Sequence, residues 1–236
     1  MATKRPFPGF FITIEGVDGV GKTTQANLLT EHLTKNTKTP VFKLREPGGT
    51  SICEEIRGIL KQGSHLAPIC ELFLFNAARN QLVEKVIRPA VERGHIVICD
   101  RFIDSTVAYQ HYGNGIPLET VKSILDVAVA DMIPNLTLLL ELDDKEADSR
   151  AKLQNANLPF KEAALKDSIR DGITKYDDAS IEYKNQVARG FIHQAAKNPH
   201  RIIIVDATGT PEEVLKKIIK IVEPELQLLG LMVPVC

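Results

Sequence analysis

The stretch FFITIEGVDGVGKTTQ, near the start of the chain, contains four residues whose types and spacing suit phosphate chemistry. Gly16, Gly21, Lys22 and Thr23 follow the order G-x-x-x-x-G-K-[ST], the pattern of a P-loop. Glycines let backbone N–H groups turn inward around phosphate oxygens, Lys22 can reach the outer phosphates, and the Thr23 hydroxyl can hold Mg²⁺. The sequence therefore predicts a nucleotide site.

Two elements must position this loop. Residues 10–14 form a short apolar run that is typical of a buried strand. Leu28, Leu29 and Leu33 place an apolar stripe on the segment that follows the loop, which favours a helix. The N-terminus of that helix would point at the bound anion.

The composition favours one large globular domain over residues 1–236, without nucleic-acid or membrane partners. Lys and Arg together number 29 and Asp and Glu 30, so no overall basic field attracts a polyanion. No apolar segment reaches the roughly 20 residues of a membrane span, and MATKRPFPG lacks a signal-peptide core. We therefore expect a cytoplasmic protein. The cysteines lack metal-ligand spacing: Cys53, Cys70, Cys99 and Cys236.

Short β-rich runs alternate with helical patterns along the chain. No hairpin signal separates the runs, which predicts an α/β fold with a five-stranded parallel sheet and helices on both faces. The predicted strands are 10–14, 41–44, 95–99, 136–142 and 201–205. Beyond the helix after the P-loop, helices are predicted from residue 51, over 71–93 with a kink at Pro89, over 117–130, across 181–195, and from 211.

Charged residues follow two of these strands. Asp100 and Arg101 end the run at 95–99, and an acid at the carboxyl tip of a parallel strand can serve Mg²⁺ or its water shell. A helix N-cap or a structural ion pair is an equally good reading of that spacing. The segment 102–115, FIDSTVAYQHYGNG, is polar and aromatic, so we expect it to be substrate-contacting surface rather than core.

The motifs EGVDGVGKTTQ, REPGGT, LFLFNAARNQ, ICDRF and STVAYQ together resemble those of thymidylate kinases, over nearly the whole chain. That family phosphorylates dTMP to dTDP with ATP and Mg²⁺. The resemblance implies a P-loop nucleoside monophosphate kinase fold with a mobile helical lid, here roughly 144–177. REPGGT and F-x-A-x-R carry more specificity than the P-loop, which alone does not name a substrate.

The resemblance implies a catalytic set of Lys22, Asp100, Arg101 and Arg150. Thr23 and Asp100 would serve Mg²⁺, Asp100 through water, and Arg150 would lie near adenine. The loop at 206–210 would form another part of the adenine pocket. The implied ATP-binding residues in the P-loop are Gly16, Val17, Asp18, Gly19, Val20, Gly21, Lys22, Thr23 and Thr24.

The resemblance also implies an acceptor site. Asp18 would bind the 3′-hydroxyl of dTMP, while Arg45 and Arg101 would hold its phosphate. Phe75 would stack on thymine, and Arg79 would bond a thymine carbonyl. Contacts to the base and the sugar would come from Ser105, Thr106, Tyr109 and Gln110, with Tyr109 excluding a ribose hydroxyl.

The lid is where the sequence departs from the family. Some members carry an arginine in the P-loop, whereas Gly19 here resembles the subtype that brings its cation on a basic lid. The usual lid ending of Asp-Arg is replaced by Thr174-Lys175-Tyr176-Asp177, and Lys lacks the bidentate fork of Arg. We expect Arg150 plus one later lid cation to act, from the candidates Lys152, Lys166, Arg170 and Lys175.

Two other functions remain open from the sequence. A deoxynucleoside kinase could share the P-loop and the Asp-Arg pair, although Arg45 and Arg101 suit a monophosphate acceptor better. A P-loop ATPase switch acting on a protein partner would leave the acceptor-like residues unexplained. Family members usually form homodimers, and by resemblance the helix at 71–93 is the expected contact.

Overall fold

The computed structural model describes residues 7–62, 66–142 and 179–232. Its strands are β1 (Phe10–Glu15), β2 (Val41–Arg45), β3 (Ile96–Asp100), β4 (Leu136–Glu141) and β5 (Ile202–Asp206). Its helices are α1 (Lys22–Asn36), α2 (Ser51–Gln62), α3 (Pro68–Leu82), α4 (Arg88–Glu92), α5 (Ile103–Thr106), α6 (Leu118–Val129), α7 (Ile181–Lys197) and α8 (Pro211–Leu228). Two π-helical segments, Val83–Ile87 and Val107–Gly113, follow α3 and α5.

The strands form one parallel sheet in the order β2-β3-β1-β4-β5. This confirms the predicted fold class. Because every strand runs in the same direction, all five carboxyl ends lie at one edge of the sheet, where open α/β sheets bind ligands. The P-loop leaves the sheet at the end of the central strand, β1.

The β1 strand is buried on both faces, which explains its uninterrupted apolar sequence. Phe10, Ile12 and Ile14 pack into a core with α1 and α8, and Phe11 packs into a second core with α3, α4 and α6. Successive side chains of a strand point to opposite faces, so helices cover both sides of the sheet. The strand that carries the P-loop is therefore held rigidly.

The helix predicted over 71–93 differs in detail. It begins at Pro68, passes through the π-helical segment at 83–87 and ends in the short helix α4. Pro89 lies near the start of α4, and a proline inside a helix removes one hydrogen bond and crowds the preceding turn. The wider π turn before it is a recognised way for a helix to accommodate such a break.

Residues 103–113 of the segment 102–115 are helical, and half of the segment is buried, so the prediction that it does not belong to the core is wrong for those residues, while its contact with substrate stays a prediction. Tyr109 is 8 % exposed and Gln110 2 %. Its polar groups have partners within the protein. Asp104 forms a two-pronged ion pair with Arg201, and Gln110 donates to Glu71 at 3.2 Å.

The predicted lid at 144–177 lies outside the described residues, as do Arg150, Lys152, Lys166, Arg170 and Lys175. Among the described helices, none is both long enough and apolar enough to cross a membrane.

Candidate active site

Every strand ends in a charged residue at the same edge of the sheet: Glu15, Arg45, Asp100, Glu141 and Asp206. The first three belong to the neighbouring strands β1, β2 and β3. Arg45 pairs in register with Asp100, and Ile14 does so from the other side. The sheet thus brings residues from three distant parts of the sequence beside the P-loop.

The P-loop has the backbone that phosphate binding needs. Gly16, Gly19 and Gly21 have φ values of 139°, 79° and 103°, a region that favours glycine. Gly21 precedes α1 and has no side chain to cap the first turn, so that turn can present N–H groups to an anion.

Lys22 lies inside the loop and is 7 % exposed. Its ammonium donates to the Val17 carbonyl at 2.7 Å and lies 4.0 Å from Asp18. Burial, together with repulsion from Arg101, lowers the pKa of Lys22 to about 8. A bound polyphosphate would add negative charge beside this buried cation and would favour its charged form.

Thr23 and Asp100 meet at the start of α1. The Thr23 hydroxyl donates to the Asp100 carboxylate at 2.5 Å. Mg²⁺ in phosphoryl-transfer sites takes oxygen ligands from one or two side chains and completes its shell with phosphates and waters. A hydroxyl and a carboxylate in contact beside a phosphate loop fit that requirement.

Arg101 joins the end of β3 to the P-loop. Its backbone has φ +70°, which is rare for a residue other than glycine. Its side chain forms an ion pair with Asp18 and donates to the Gly16 carbonyl at 3.3 Å. The Tyr109 hydroxyl donates to Asp18 at 2.7 Å, and its ring lies 5.2 Å from the Arg101 guanidinium carbon.

Asp18 is ionised in this arrangement. Partial burial raises the pKa of Asp18, but the charges of Arg101 and Lys22 lower it by more, so that the pKa falls to about 2. The side chain keeps 40 % of its surface exposed. A carboxylate that is ionised, exposed and fixed by two neighbours can accept a hydrogen bond from a ligand hydroxyl.

Glu15 lies beneath this group and is fully buried. Its Oε1 accepts from the backbone N–H groups of Phe102 at 2.7 Å and of Ser105 at 3.2 Å. Its Oε2 accepts from the Ser105 hydroxyl at 2.6 Å, and Ser105 Oγ in turn accepts from Arg101 at 3.0 Å. Burial and the nearby Asp104 raise the pKa of Glu15 to about 7, although Ser105 and Arg101 lower it.

Arg45 lies at the tip of β2, with 39 % of its side chain exposed. It pairs with Glu54 of α2 at 3.2 Å, and Glu54 also accepts from the Gly49 N–H at 3.0 Å. Glu54 thereby links the Arg45 side chain to the backbone of the turn between β2 and α2. The guanidinium remains at the surface of the same edge as Arg101.

Arg79 of α3 is almost fully buried, with 2 % of its surface exposed. All three of its nitrogens have protein partners. They reach Glu46 at 2.7 and 2.8 Å, Thr106 Oγ1 at 2.7 Å, Asn76 at 3.0 Å and the Phe102 carbonyl at 3.0 Å. In this conformation a base can bond Arg79 only by sharing or replacing one of these contacts.

Glu46 is the anionic partner of Arg79. Both contacts from Arg79 fall on Oε2, and the buried Oε1 has no hydrogen-bond partner among the described residues. Burial raises the pKa of Glu46 to about 7 even though Arg79 lowers it. Phe75, one helical turn before Arg79, is partly buried and packs on the cluster that contains Tyr109.

A small cavity of about 120 Å³ lies on the other side of the P-loop. It is bordered by the start of α1 and by the loop that follows β5, the segment predicted at 206–210. In that loop Asp206 accepts from the Thr208 N–H at 2.9 Å and is paired with Lys217. The lining residues are Val20, Gly21, Thr24, Gln25, Ala207, Gly209, Pro211 and Val214.

Comparison with known proteins identifies the family. The family model for thymidylate kinase matches residues 14–218. The chain is 41 % identical over 218 residues to the thymidylate kinase of Chlorobium chlorochromatii, covering 92 % of this chain and 96 % of the relative. This chain belongs to the thymidylate kinase family.

Other thymidylate kinases match over similar lengths. The protein from Synechococcus sp. (strain JA-3-3Ab) is 41 % identical over 216 residues, covering 92 % of this chain and 96 % of the relative. The crystal structure of thymidylate kinase from Ehrlichia chaffeensis superposes with a TM-score of 0.69 at 32 % identity, covering 90 % of this chain and 98 % of that one. The fold and the family motifs therefore coincide over most of the chain.

Within this family framework, the structure brings most of the predicted site residues to one edge of the sheet. Ser105 and Thr106 differ from a simple base-contacting pair, because each accepts a hydrogen bond from an arginine. Arg150 lies outside the described residues.

Sequence reasoning missed Glu15 and Glu46. Both are acidic residues at or just beyond the end of a β-rich run, and both are buried. Glu15 accepts from the Phe102 N–H beside Arg101, and Glu46 accepts from Arg79. Both glutamates lie within the motifs EGVDGVGKTTQ and REPGGT, but no role was assigned to them, because an acid at the end of a strand is usually solvated.

Proposed function

We propose that this chain transfers the γ-phosphoryl group of ATP to dTMP, giving dTDP and ADP. The single observation that carries the proposal is the convergence of Arg45 and Arg101 beside a P-loop. Two cations at the carboxyl edge of the sheet suit an acceptor that already bears a phosphate. Family membership supports dTMP as that acceptor.

Positioning and charge neutralisation account for most of the catalysis in phosphoryl transfer. Lys22 and the N–H groups of the P-loop would hold the donor phosphates. Arg45 and Arg101 would hold the acceptor phosphate in line with them. The ion pair of Arg101 with Asp18 and its hydrogen bond to the Gly16 carbonyl support this role, because both contacts hold the Arg101 side chain against the P-loop.

The acceptor nucleoside would be read by the remaining predicted residues. The ionised Asp18 suits the 3′-hydroxyl, and Tyr109, bonded to Asp18, would pack against the 2′ position and exclude ribose. Phe75 would stack on thymine, and Arg79 would bond a thymine carbonyl by sharing one of its donors. Ser105, Thr106 and Gln110 would support these contacts from below.

We propose Mg²⁺ as the cofactor, with Thr23 and Asp100 as the residues that would hold it or its waters. When bound, Mg²⁺ would neutralise charge on the transferring phosphate. The adenine of ATP would occupy the side of the cavity formed by α1 and the loop at 206–210. Arg150 and a later lid cation stay predictions, as do the single domain, its lid and the cytoplasmic location.

A homodimer is also proposed, by way of the apolar surface of α2 and α3. The pairs Ile52 and Ile59, and Ile69 and Phe73, each fall on one helical face and are 42 to 55 % exposed. Sedimentation of the wild-type chain at micromolar concentration would give the dimer mass, and Phe73→Glu would shift it to the monomer. A wild-type chain that sediments as a monomer would contradict the proposal.

The decisive test of the activity is ATP-dependent turnover with a panel of acceptors: dTMP, dUMP, CMP, AMP and thymidine. We expect dTMP to give the highest kcat/KM, and Lys22→Ala to abolish transfer because it removes the buried phosphate ligand. Preference for thymidine would favour a deoxynucleoside kinase. ATP hydrolysis that ignores every acceptor would favour an ATPase switch.

A further inference from the structure

The direction of one buried hydrogen bond links Glu15 to Arg101. The Ser105 hydroxyl has a single hydrogen, and it points at Glu15 Oε2. Only the oxygen lone pairs of Ser105 are then left to face the Arg101 guanidinium, which lies 3.0 Å away. An ionised carboxylate has no hydrogen to give, so Glu15 sets this direction.

Glu15 also supports the unusual backbone of Arg101. A non-glycine residue at φ +70° persists only where its surroundings hold it. On one side the Arg101 N–H donates to the Ile14 carbonyl at 3.0 Å. On the other side, Phe102 and Ser105 donate to the Glu15 carboxylate. The residues at the end of β1 therefore fix both flanks of the turn.

Residues at the end of β1, the strand that leads into the P-loop, therefore hold both the backbone and the guanidinium of Arg101. Glu15 directly precedes Gly16, whose carbonyl also accepts from Arg101. A shift of the loop would move Arg101 with it. This arrangement keeps the donor loop and the acceptor-side cation in a constant relation.

We propose that Glu15 is a positioning residue that, through Ser105, sets the orientation of Arg101 toward the acceptor phosphate. The inference rests on the proposed function, because it takes Arg101 as a ligand of that phosphate. Ser105 then serves the guanidinium and not the base. Neither residue touches the reacting atoms.

Glu15→Gln separates this role from simple support of the turn. If the amide oxygen keeps both backbone contacts, the amide nitrogen faces Ser105 and competes with Arg101 for the same oxygen. If the amide is reversed, its nitrogen faces two backbone donors. Either orientation leaves a donor unmatched, whereas the size and shape of the side chain are preserved.

The experiment measures dissociation constants for dTMP and thymidine by calorimetry, about one pH unit above the pKa of Glu15, which is about 7. Thymidine lacks the phosphate and reports only base and sugar contacts. We expect Glu15→Gln and Ser105→Ala each to raise the dissociation constant of dTMP about tenfold, since a hydrogen bond to a charged group is disturbed. The dissociation constant of thymidine should stay within about twofold of the wild-type value.

Thr13→Val is the matched control. Thr13 is fully buried on the same strand, and among the described residues its hydroxyl bonds only the Thr137 hydroxyl, at 2.7 Å. This variant should lower stability and leave both dissociation constants unchanged. Ser105→Ala keeps the test informative if Glu15→Gln does not fold, because Glu15 then keeps its two backbone contacts.

Equal weakening of dTMP and thymidine, or unchanged dTMP binding, would overturn the positioning role. If the wild-type chain turns over dTMP while both variants bind it normally, this inference fails and the proposed function stands. If the wild-type chain does not bind dTMP, the proposed function fails, and the inference fails with it.

Discussion

Two buried glutamates beside the strands that flank β3 hold two arginines in different ways. Glu15, at the end of β1, reaches Arg101 through Ser105, and both of its oxygens are filled by donors. Glu46, just after β2, contacts Arg79 directly and leaves Oε1 unpartnered. The first pair lies against the P-loop, and the second involves Arg79, one helical turn after Phe75.

This difference is consistent with the proposed roles, in which Arg101 binds the acceptor phosphate and Arg79 binds the base. Arg101 keeps 20 % of its side chain exposed and faces the donor loop, as a phosphate ligand should. Arg79 is 2 % exposed and fixed on every nitrogen, so a base would have to share or replace one of its existing contacts. On the proposed function, the indirect contact would leave Arg101 room to engage the acceptor phosphate, and the direct contact would hold Arg79 in place beside the base.

The largest expected effect is on stability, at the Glu46 pair. Glu46→Ala leaves the Arg79 cation buried without its counter-charge, which costs about 3–5 kcal/mol in comparable buried pairs. Urea unfolding of the wild type and the variant measures this loss. A loss below about 1 kcal/mol would mean that the backbone and side-chain acceptors of Arg79 suffice without Glu46.

The next effect is on turnover, at Arg101. Arg101→Ala should lower kcat/KM for dTMP by about 10²–10³, the usual cost of removing one donor to a reacting oxyanion. Arg101→Lys keeps the charge but not the fork, so we expect only partial recovery. Steady-state kinetics with dTMP varied measures both, and an Arg101→Ala enzyme within about threefold of wild type would contradict the assignment.

A smaller effect depends on pH. Glu15 has its pKa raised from 4.5 to about 7, so the folded state binds its proton more tightly than the unfolded state. The stability this provides is fully present below about pH 4.5 and is lost as the pH rises to about 7. The free energy of unfolding of the wild type should therefore fall relative to that of Glu15→Gln, by about 2–3 kcal/mol over that range.

The control for this measurement is Thr13→Val, which leaves Glu15 in place and should follow the pH dependence of the wild type. A constant difference between Glu15→Gln and the wild type across the range would mean that folding does not raise the pKa of Glu15.

The contiguous parts of the site were predictable from the sequence, and the assembled parts were not. The P-loop is a local motif that the sequence displays directly, and Asp100 and Arg101 were found at a predicted strand end, with their roles implied by the family resemblance. Glu15 looks like any acid that closes an apolar run, because its partners Phe102 and Ser105 lie 87 and 90 positions away. Its burial depends on a crossover that local patterns do not encode.

The burial of the segment 102–115 was not predicted, for a related reason. Its composition is that of a surface, and a polar residue in isolation is best solvated. Asp104 and Gln110 are buried because Arg201 and Glu71, from other elements, satisfy them. Residue types alone predict exposure, whereas tertiary partners decide it.

One measurement tests the division between phosphate and base recognition most directly. It compares the affinities of Glu15→Gln and Glu46→Gln for dTMP and for thymidine. The account predicts that Glu15→Gln weakens the binding of dTMP alone. It predicts that Glu46→Gln weakens the binding of both ligands by the same factor, because both carry the base. If the two variants show the same pattern, or if Glu46→Gln affects only dTMP, the two arginines do not divide recognition in this way.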